Sequence, residues 1–217
     1  MTAREERLDR LLASGVVGVI RGAEADVVVD IARALKAGGV TAVEVTADTP
    51  GVMTMIEDVA DALTGDDVLV GAGTVLDAET ARAAILAGAE FVVSPTVSTG
   101  VIEVCNRYGV PVAPGATTPT EVLTAYEAGA DVVKVFPAGT LGPDYLSSLT
   151  GPLGHIPLVP TGGIDADNAA AYVEAGAVAV GVGSALVDDD LVKPGDFEAI
   201  TDQARRLGVE GVAPPLA

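Results

Sequence analysis

The chain of 217 residues has little of several residue types on which reactive sites depend: it has one His, one Cys and no Trp. The single cysteine, Cys105, cannot form an intramolecular disulfide. The single histidine, His155, leaves too few nitrogen or sulfur ligands for a metal site and no partner set for a Ser-His-Asp or Cys-His nucleophile. We therefore expect neither a metal nor a cofactor. Because aromatic residues make up only 3% and hydrophobic residues 49%, the core has to be built from aliphatic side chains, which suits buried parallel strands.

Positive charge is also scarce. Lys and Arg number 12 against 31 Asp and Glu, a net charge of −19, and the only lysines are Lys36, Lys134 and Lys193. A chain with this much negative charge repels nucleic acid and acidic lipid surfaces. Neither is therefore expected as a partner. The composition fits an ordinary acidic cytosolic protein or, as we favour, a halophilic one in a salt-rich cytoplasm, where salt screens the self-repulsion.

The N-terminal segment carries charges throughout and no long apolar core. It predicts a short amphipathic helix over residues 1–14, with Leu8, Leu11 and Leu12 on one side, and not a signal peptide. No apolar run elsewhere reaches the length of a membrane span. A cytoplasmic location is therefore expected.

Short apolar runs alternate with stretches of helical spacing along the whole chain. The helical stretches include Ala25–Ala37, Ala78–Ala87, Pro119–Ala128 and Ala166–Ala175. The apolar runs are Val16–Arg21, Ala42–Thr46, Leu69–Thr74, Phe91–Pro95, Pro111–Gly115, Val132–Pro137, Leu158–Gly162 and Val178–Ser184. This alternation predicts βαβ units and a parallel sheet.

A weak internal repeat supports the same division of the chain. An Ala-Gly pair precedes four of the apolar runs, with its glycine at Gly38, Gly88, Gly129 and Gly176, the first followed by a second glycine, Gly39. Glycine just past a helix end takes the left-handed conformation that turns the chain into the next strand. We predict an α/β protein, a single (β/α)8 TIM barrel over residues 1–217 that closes with a helix at 195–207. An open doubly wound sheet is the alternative.

Two charged residues stand inside apolar strands, where burial makes a charge costly. Lys134 lies in Val132–Pro137, and alternation places it on the opposite face from Val133 and Val135. Burial favours the neutral amine, which can attack a carbonyl carbon. Glu44, in Ala42–Thr46, points inward by the same argument and can shuttle protons. The alternative is a purely structural ion pair between the two.

Polar residues at strand ends are the next candidates, because function in a TIM barrel collects at the C-terminal ends of the strands. Arg21 ends the first strand and suits a bidentate contact with a carboxylate, unless it is simply a surface residue at the rim. Thr74 and Thr161 each place a hydroxyl at the mouth, although threonine is also common in turns and caps.

Glycine-rich segments follow the last two strands. These segments contain Gly162 and Gly163, and then Gly183 and Ser184. In barrels such loops bind phosphate through backbone N–H groups and a helix N-terminus, so we predict a phosphate site here. The alternative is that the glycines only permit tight turns.

Seven ordered motifs between about Ser14 and Leu186 resemble the 2-keto-3-deoxy-6-phosphogluconate (KDPG) aldolase family. They are Val-Glu-Val-Thr with Glu44, Gly-Ala-Gly-Thr-Val with Thr74, Phe-Val-Val-Ser-Pro at 91–95, Pro-Gly-Ala-Thr-Thr-Pro-Thr-Glu at 114–121, Val-Lys-Val-Phe-Pro-Ala at 133–138, Pro-Thr-Gly-Gly-Ile at 160–164 and Gly-Val-Gly-Ser-Ala-Leu at 181–186. The set is specific for the family and less specific for the substrate.

The resemblance implies a role for each matching residue. It implies Lys134 as the Schiff-base lysine and Glu44 as the general acid and base. It also implies residues that bind the pyruvate part and the carboxylate of the substrate: Arg21, Thr74, Thr161, Phe136 and Pro95. The residues implied to bind the phosphate are Gly162, Gly163, Gly183 and Ser184. It also implies a homotrimer that needs no metal.

One position departs from part of the family. Some members carry Arg shortly after the catalytic glutamate, where this chain has Asp48, and Asp cannot clamp a carboxylate. Other members carry Arg at the end of the first strand, which matches Arg21. We therefore expect Arg21 to make the carboxylate contact.

The implied reaction is cleavage of KDPG to pyruvate and D-glyceraldehyde 3-phosphate, with these small molecules as the partners. Cleavage of the C4 epimer, 2-keto-3-deoxy-6-phosphogalactonate, or of 4-hydroxy-2-oxoglutarate would use the same chemistry, and one hydroxyl epimer can depend on a single contact. A phosphosugar isomerase or epimerase, with Glu44 as base, and a catalytically silent phosphosugar-binding barrel are more distant alternatives.

Overall fold

The computed structural model describes residues 1–188 and 196–210, without the side chains of 209 and 210. Nine strands form in this part of the chain: β1 to β9 cover Val16–Ile20, Ala42–Thr46, Leu69–Gly73, Phe91–Val93, Val112–Ala113, Gly115–Ala116, Val133–Val135, Leu158–Pro160 and Val180–Val182. Each of the predicted apolar runs contains at least one of them. All pairings between neighbouring strands are parallel.

The strands divide into two curved sheets. One has six strands in the order β5-β4-β3-β2-β1-β9 and the other has three in the order β6-β7-β8. An isolated bridge between Thr161 and Gly181 connects the end of β8 to β9. The α/β class and parallel sheet are therefore as predicted, but the backbone ladder is not one continuous ring.

The division falls within the fifth predicted strand, and proline explains it. Val112 and Ala113 pair with β4, whereas Gly115 and Ala116 pair with β7. Between them stands Pro114, which has no N–H to donate, although its carbonyl accepts from Lys134 N at 2.9 Å. The run therefore changes partner at this residue.

Ten helices accompany the strands in the described residues. The helices α1 to α10 cover Ala3–Ser14, Val28–Ala37, Val52–Ala62, Ala78–Leu86, Thr99–Tyr108, Pro119–Glu127, Ala138–Leu141, Pro143–Leu153, Ala169–Glu174 and Phe197–Glu210. Thr118 and Glu121 form a reciprocal capping box with Pro119 at the first turn of α6, which explains its sharp start. The predicted closing helix at 195–207 overlaps α10, and residue 195 lies outside the described residues.

The predicted glycine turns are present. Gly39, Gly88, Gly129 and Gly176 all have φ between 96° and 103°, each between a helix and the following strand. The helical stretches at 25–37 and 166–175 begin three residues later than predicted, at Val28 and Ala169, because turns precede them.

Two separate apolar cores follow from strand alternation. The larger core lies between the strands and the surrounding helices and includes Val43, Val45, Val133 and Val135. The smaller one lies inside the curved sheets and contains Leu11, Val17, Ala42, Leu69, Phe91, Val93, Ala113, Val132, Val159 and Ala179. The strands are thus buried on both faces, as parallel strands require.

Helix α1 covers the N-terminal end of the inner core. Leu11 is buried there, and Leu8 and Leu12 pack against the same cluster, which confirms the predicted apolar side of this helix. Arg4 forms a bidentate pair with Asp131, which directly precedes the strand run of Lys134. The opposite, C-terminal end of the sheets is left open to solvent. None of the described helices is both long and apolar enough to span a membrane.

Candidate active site

A cavity of about 520 Å³ opens at the C-terminal ends of the strands, in the volume range of small-molecule sites. Its lining brings together most of the predicted site residues. These are Arg21, Lys134, Phe136, Thr161, Gly162, Gly163, Gly183 and Ser184. They lie in or directly after four strands, β7, β8, β9 and β1, which are neighbours in space through the β7–β8 and β9–β1 pairings and the Thr161–Gly181 bridge.

Lys134 projects into the interior, as alternation predicts. It is 6% exposed and lines both the cavity and the apolar space beneath it, while Val133 and Val135 lie in the outer core. Its Nζ lies 5.1 Å from the centre of the Phe136 ring. Within the described part of the chain it forms no ion pair within 4.0 Å, so the interpretation of Lys134 as half of a structural salt bridge gains no support.

Glu44 is buried beside this lysine. It is 2% exposed and lines the same interior space as Lys134 and Thr161. Burial raises the pKa of the Glu44 carboxyl above its usual 4.5, and the nearby positive groups of Lys134 and Arg21 offset only part of that effect. A carboxyl group that holds its proton more tightly than usual is suited to both giving and taking a proton near neutral pH.

Two glycines make room for these side chains, a role that sequence reasoning missed. A Cβ at Gly73 would overlap the carboxylate of Glu44, and a Cβ at Gly181 would overlap the hydroxyl of Thr161. The register pairs Glu44 with Gly71 and Thr46 with Gly73, so the glutamate bends over the end of β3. The only sequence signal was the glycine-rich end of that strand.

Arg21 is held at the rim of the cavity by two neighbours. Its Nη1 pairs with Asp48 Oδ2 at 2.5 Å, and its Nη2 donates to Thr74 Oγ1 at 2.9 Å. Thr74 has φ of 56°, a left-handed conformation that non-glycine residues seldom adopt and that often marks functional sites. Asp48 is thus a direct partner of Arg21 at the rim of the cavity. From the sequence, it was noted only as the position at which some family members carry an arginine.

Besides Glu44, which lies in the interior space, two predicted residues are not part of the cavity lining. In the described residues, neither Thr74 nor Pro95 lines it: Thr74 contacts Arg21, and the Pro95 carbonyl lies against Gly115, where a Cβ would overlap it. Phe136, 37% exposed, lines it directly, and its ring packs against Gly162.

The loop of Gly162 and Gly163 has its backbone held by hydrogen bonds. Gly162 and Gly163 have φ of 87° and 75°, values that L side chains disfavour. The Gly162 carbonyl accepts from Gly139 N at 2.7 Å and that of Gly163 from Asn168 Nδ2 at 2.9 Å. Since both carbonyls are engaged with protein, the peptide planes that edge the cavity are held in place, as a backbone anion site requires.

Within residues 1–188 and 196–210, no group of three or more His, Cys, Asp or Glu side chains is placed to hold a metal ion. His155 lies away from the cavity, edge-on to Tyr126. Cys105 is buried in the outer core, and burial raises the pKa of its thiol to about 12, so it is not a reactive thiolate. In the same part of the chain, Lys134, which lines the cavity, and Glu44, in the interior space next to it, are the two buried acidic or basic residues at this end of the sheets.

A buried amine and a buried carboxyl inside a parallel α/β sheet suit the chemistry of a lysine-dependent, class I aldolase, and comparison with known proteins shows that class. Residues 8–203 match the family described as KDPG and KHG aldolase. The chain is 41% identical over 209 residues to the 2-dehydro-3-deoxy-phosphogluconate aldolase of Treponema pallidum, which covers 95% of this chain and 97% of the relative. The chain belongs to the KDPG and KHG aldolase family.

Two further relatives place it among aldolases of different substrates. It is 36% identical over 172 residues to the 2-dehydro-3-deoxy-6-phosphogalactonate aldolase of Escherichia coli, covering 79% of this chain and 83% of that one. A crystal structure of the KDPG aldolase of Legionella pneumophila, with pyruvate captured as a covalent carbinolamine, superposes with a TM-score of 0.83 at 29% identity over 92% of this chain and 96% of that one.

Proposed function

We propose that this aldolase cleaves KDPG to pyruvate and D-glyceraldehyde 3-phosphate, with Lys134 as the Schiff-base residue and Glu44 as the general acid and base. The observation that carries the proposal is that both residues are buried and line the same interior space, with Lys134 also open to the cavity. The match to 2-dehydro-3-deoxy-phosphogluconate aldolases supports the choice of substrate.

The reaction begins at Lys134. Its neutral amine adds to the C2 ketone, and loss of water from the carbinolamine gives an iminium. Glu44 takes the proton of the C4 hydroxyl, the C3–C4 bond breaks, and its electron pair moves into the iminium to give an enamine. Glyceraldehyde 3-phosphate leaves. Glu44 then returns the proton to C3 of the enamine, and hydrolysis of the resulting iminium releases pyruvate and the free amine.

The rest of the cavity positions the substrate in this proposal. Arg21 pairs with the C1 carboxylate, and the Thr161 hydroxyl and Phe136 ring border the pyruvyl part. Thr74 acts through its hydrogen bond to Arg21, and Pro95 supports the neighbouring strand at Gly115. Gly162, Gly163, Gly183 and Ser184 bind the phosphate, and this remote contact helps to align the reacting carbons.

Two substrates remain in competition with KDPG because they share this chemistry. The similarity to a 6-phosphogalactonate aldolase favours testing the C4 epimer, and the family description favours testing 4-hydroxy-2-oxoglutarate, which has no phosphate. Comparing kcat/KM on the three compounds decides among them. An isomerase, an epimerase or a silent binding barrel would cleave none of them.

The mechanism is tested by incubating the protein with pyruvate and sodium borohydride and mapping the adduct by mass spectrometry. We expect one reduced pyruvyl adduct, on Lys134, and none in Lys134→Met. Lys36→Met is the matched control, because Lys36 pairs with Asp66 on the surface and its loss leaves Lys134 intact. Folded protein that forms no adduct would refute the Schiff-base mechanism.

We also propose that residues 1–217 form one domain and that the two sheets close into an eight-stranded barrel. Counting β5 and β6 as one strand interrupted at Pro114 gives eight strands, and the Thr161–Gly181 bridge supports contact between the last two. The burial of an inner core inside the sheets supports closure as well.

A homotrimer in a salt-rich cytoplasm completes the proposal. The trimer rests on family membership, and light scattering after size exclusion would measure it. The salt-rich setting rests on the ratio of 12 basic to 31 acidic residues. Because acidic residues outnumber basic ones, we do not propose nucleic acid or an acidic membrane surface as a partner.

A further inference from the structure

We propose that Asp48 is a positioning residue for substrate binding, because it fixes the orientation of Arg21 at the rim of the cavity. The inference rests on the proposed role of Arg21 in holding the substrate carboxylate. The first observation is the ion pair itself, with 2.5 Å between Arg21 Nη1 and Asp48 Oδ2. A long arginine side chain that is 57% exposed would otherwise sample many rotamers.

The turn that carries Asp48 is itself held on both sides. Ala47 N donates to the Gly73 carbonyl at 2.7 Å, which ties the turn to the end of β3. Thr49 Oγ1 accepts from Gly22 N at 3.2 Å, which ties it to the residue that follows Arg21. Thr49 is 6% exposed, so the acceptor side of this second bond is buried, while Gly22 is exposed. The Asp48 carboxylate therefore projects from a fixed backbone and not from a free loop.

Thr74 completes the arrangement. Its hydroxyl accepts from Arg21 Nη2 at 2.9 Å, so the two terminal nitrogens of the guanidinium have different protein partners. Two contacts at different nitrogens fix the plane of the guanidinium, and its remaining N–H groups stay available for a ligand. Because Arg21 lines the cavity that contains Lys134, these groups can meet a carboxylate next to the carbon that the lysine attacks.

Asp48 also neutralises part of the charge of Arg21, so its removal has two opposing effects. Loss of orientation weakens carboxylate binding, whereas loss of a negative charge strengthens the attraction of the rim for anions. Both side chains are about half exposed, 57% and 47%, so the second effect is screened by salt, with a Debye length of about 3 Å at 1 M. The Asp48–Arg21 contact, at 2.5 Å, is shorter than this screening length, so salt weakens it less than it weakens the longer-range attraction of the rim for anions. High salt therefore makes the positioning effect the larger of the two.

The test uses pyruvate alone, which carries the carboxylate but no phosphate, and follows Lys134-dependent exchange of its methyl protons for deuterium by NMR at about 1 M KCl. We expect Asp48→Ala to raise the apparent KM for pyruvate roughly three- to tenfold while kcat falls less than about twofold, the pattern of lost ground-state positioning. Asp48→Asn keeps an oxygen acceptor at the same place and should recover most of the wild-type KM.

A double-mutant cycle shows whether Asp48 acts through Arg21. In an Arg21→Met background, Asp48→Ala should change the KM by less than about 1.5-fold, because the residue that it positions is gone. Asp67→Ala is the matched control, since Asp67 pairs with Arg10 at 3.1 Å, outside the residues that line the cavity. It should leave KM and kcat at wild-type values.

An unchanged or lower KM in Asp48→Ala would overturn the proposal, and a lower one would make Asp48 a competitor of the substrate for Arg21. An equal rise in KM with and without Arg21 would overturn it as well. These outcomes are distinct from a failure of the proposed function, which would appear as the absence of exchange and of a borohydride adduct in the wild-type protein.

Discussion

The carboxylate of Glu44 lies over the backbone of Gly73, in the space that a side chain at that position would need. Parallel pairing of β2 with β3 creates this approach, with Thr46 opposite Gly73 and Glu44 two residues earlier. Glu44, the proposed proton-transfer group, is therefore placed by the absence of a Cβ on the neighbouring strand as much as by its own backbone.

Replacing Gly73 with Ala should displace Glu44 and lower kcat/KM for aldol cleavage by about 10- to 100-fold, because small displacements of a catalytic group have effects of this size. The added methyl should also lower the free energy of unfolding by about 1–3 kcal/mol, as overpacking does. Steady-state kinetics and urea denaturation measure the two effects. Gly100→Ala is the control, since its Cβ would meet only Ala78 at 3.7 Å. Wild-type kinetics in Gly73→Ala would contradict this account.

Glu44 should make the protein less stable as the pH rises. Burial raises its pKa in the folded state above 4.5, so the folded state binds this proton more tightly than the unfolded state does. Between the two pKa values, the free energy of unfolding falls with increasing pH. Glu44→Gln removes the titration and should be more stable than wild type at about pH 7, with a difference that shrinks towards pH 4.5.

Urea denaturation of the two proteins across that range measures this difference. A difference in unfolding free energy that does not change with pH would show that Glu44 does not titrate differently in the folded state. The same substitution should lower kcat roughly 10²- to 10⁴-fold, because it removes the proposed general acid and base, while the borohydride adduct on Lys134 should still form.

The N-terminal helix should depend on Arg4. Its guanidinium makes two bonds to Asp131, at 2.9 and 2.8 Å, and a third to the Gly129 carbonyl, and the Asp131 side chain is only 10% exposed. Arg4→Ala should lower the free energy of unfolding by about 1–2 kcal/mol, because a charge-assisted bidentate bond is lost and a shielded carboxylate keeps fewer partners.

Arg205→Ala provides the comparison, as the Arg205–Asp202 pair is exposed on both sides, 59% and 63%, and should contribute less than about 0.5 kcal/mol. Chemical denaturation of both variants in the same buffer gives the two values. Equal effects would show that the α1 contact is no stronger than a surface pair.

Salt should stabilise the protein strongly. With 31 acidic and 12 basic residues, the folded chain repels itself at low ionic strength, and added ions screen that repulsion. We expect the Tm to rise by several degrees from low to molar KCl. Potassium chloride is the suitable salt for this measurement. Sulfate would not separate charge screening from a general effect, because it stabilises most proteins through its exclusion from their surface. A Tm that stays constant or falls would contradict adaptation to salt.

Period-two alternation was sufficient to predict which way the strand side chains point. A charged residue flanked by Val133 and Val135, or by Val43 and Val45, has only two faces to occupy, and the helices that follow each strand take the apolar one. Lys134 and Glu44 could therefore be placed in the interior without coordinates. The helix-ending glycines were equally predictable, because few other residues tolerate the left-handed conformation.

The partner change at Pro114 could not be predicted in the same way. A proline inside an apolar run reads as part of one strand, and only the positions of β4 and β7 decide that the two sides of the run pair differently. For the same reason the sequence suggested a continuous ring of strands, whereas the ladders form two sheets.

The proposed chemistry of the site follows from local sequence, because a buried lysine and a buried glutamate in apolar strands are unusual wherever they occur. The surroundings of that chemistry were decided by tertiary structure. Arg21, Asp48 and Thr74 follow three neighbouring strands, β1, β2 and β3, and meet because parallel pairing sets these strands side by side. Gly73 matters because the Glu44 carboxylate occupies the space that its Cβ would need. The type of a residue determines which chemistry its side chain can perform. The distances between neighbouring strands determine which other residues it contacts.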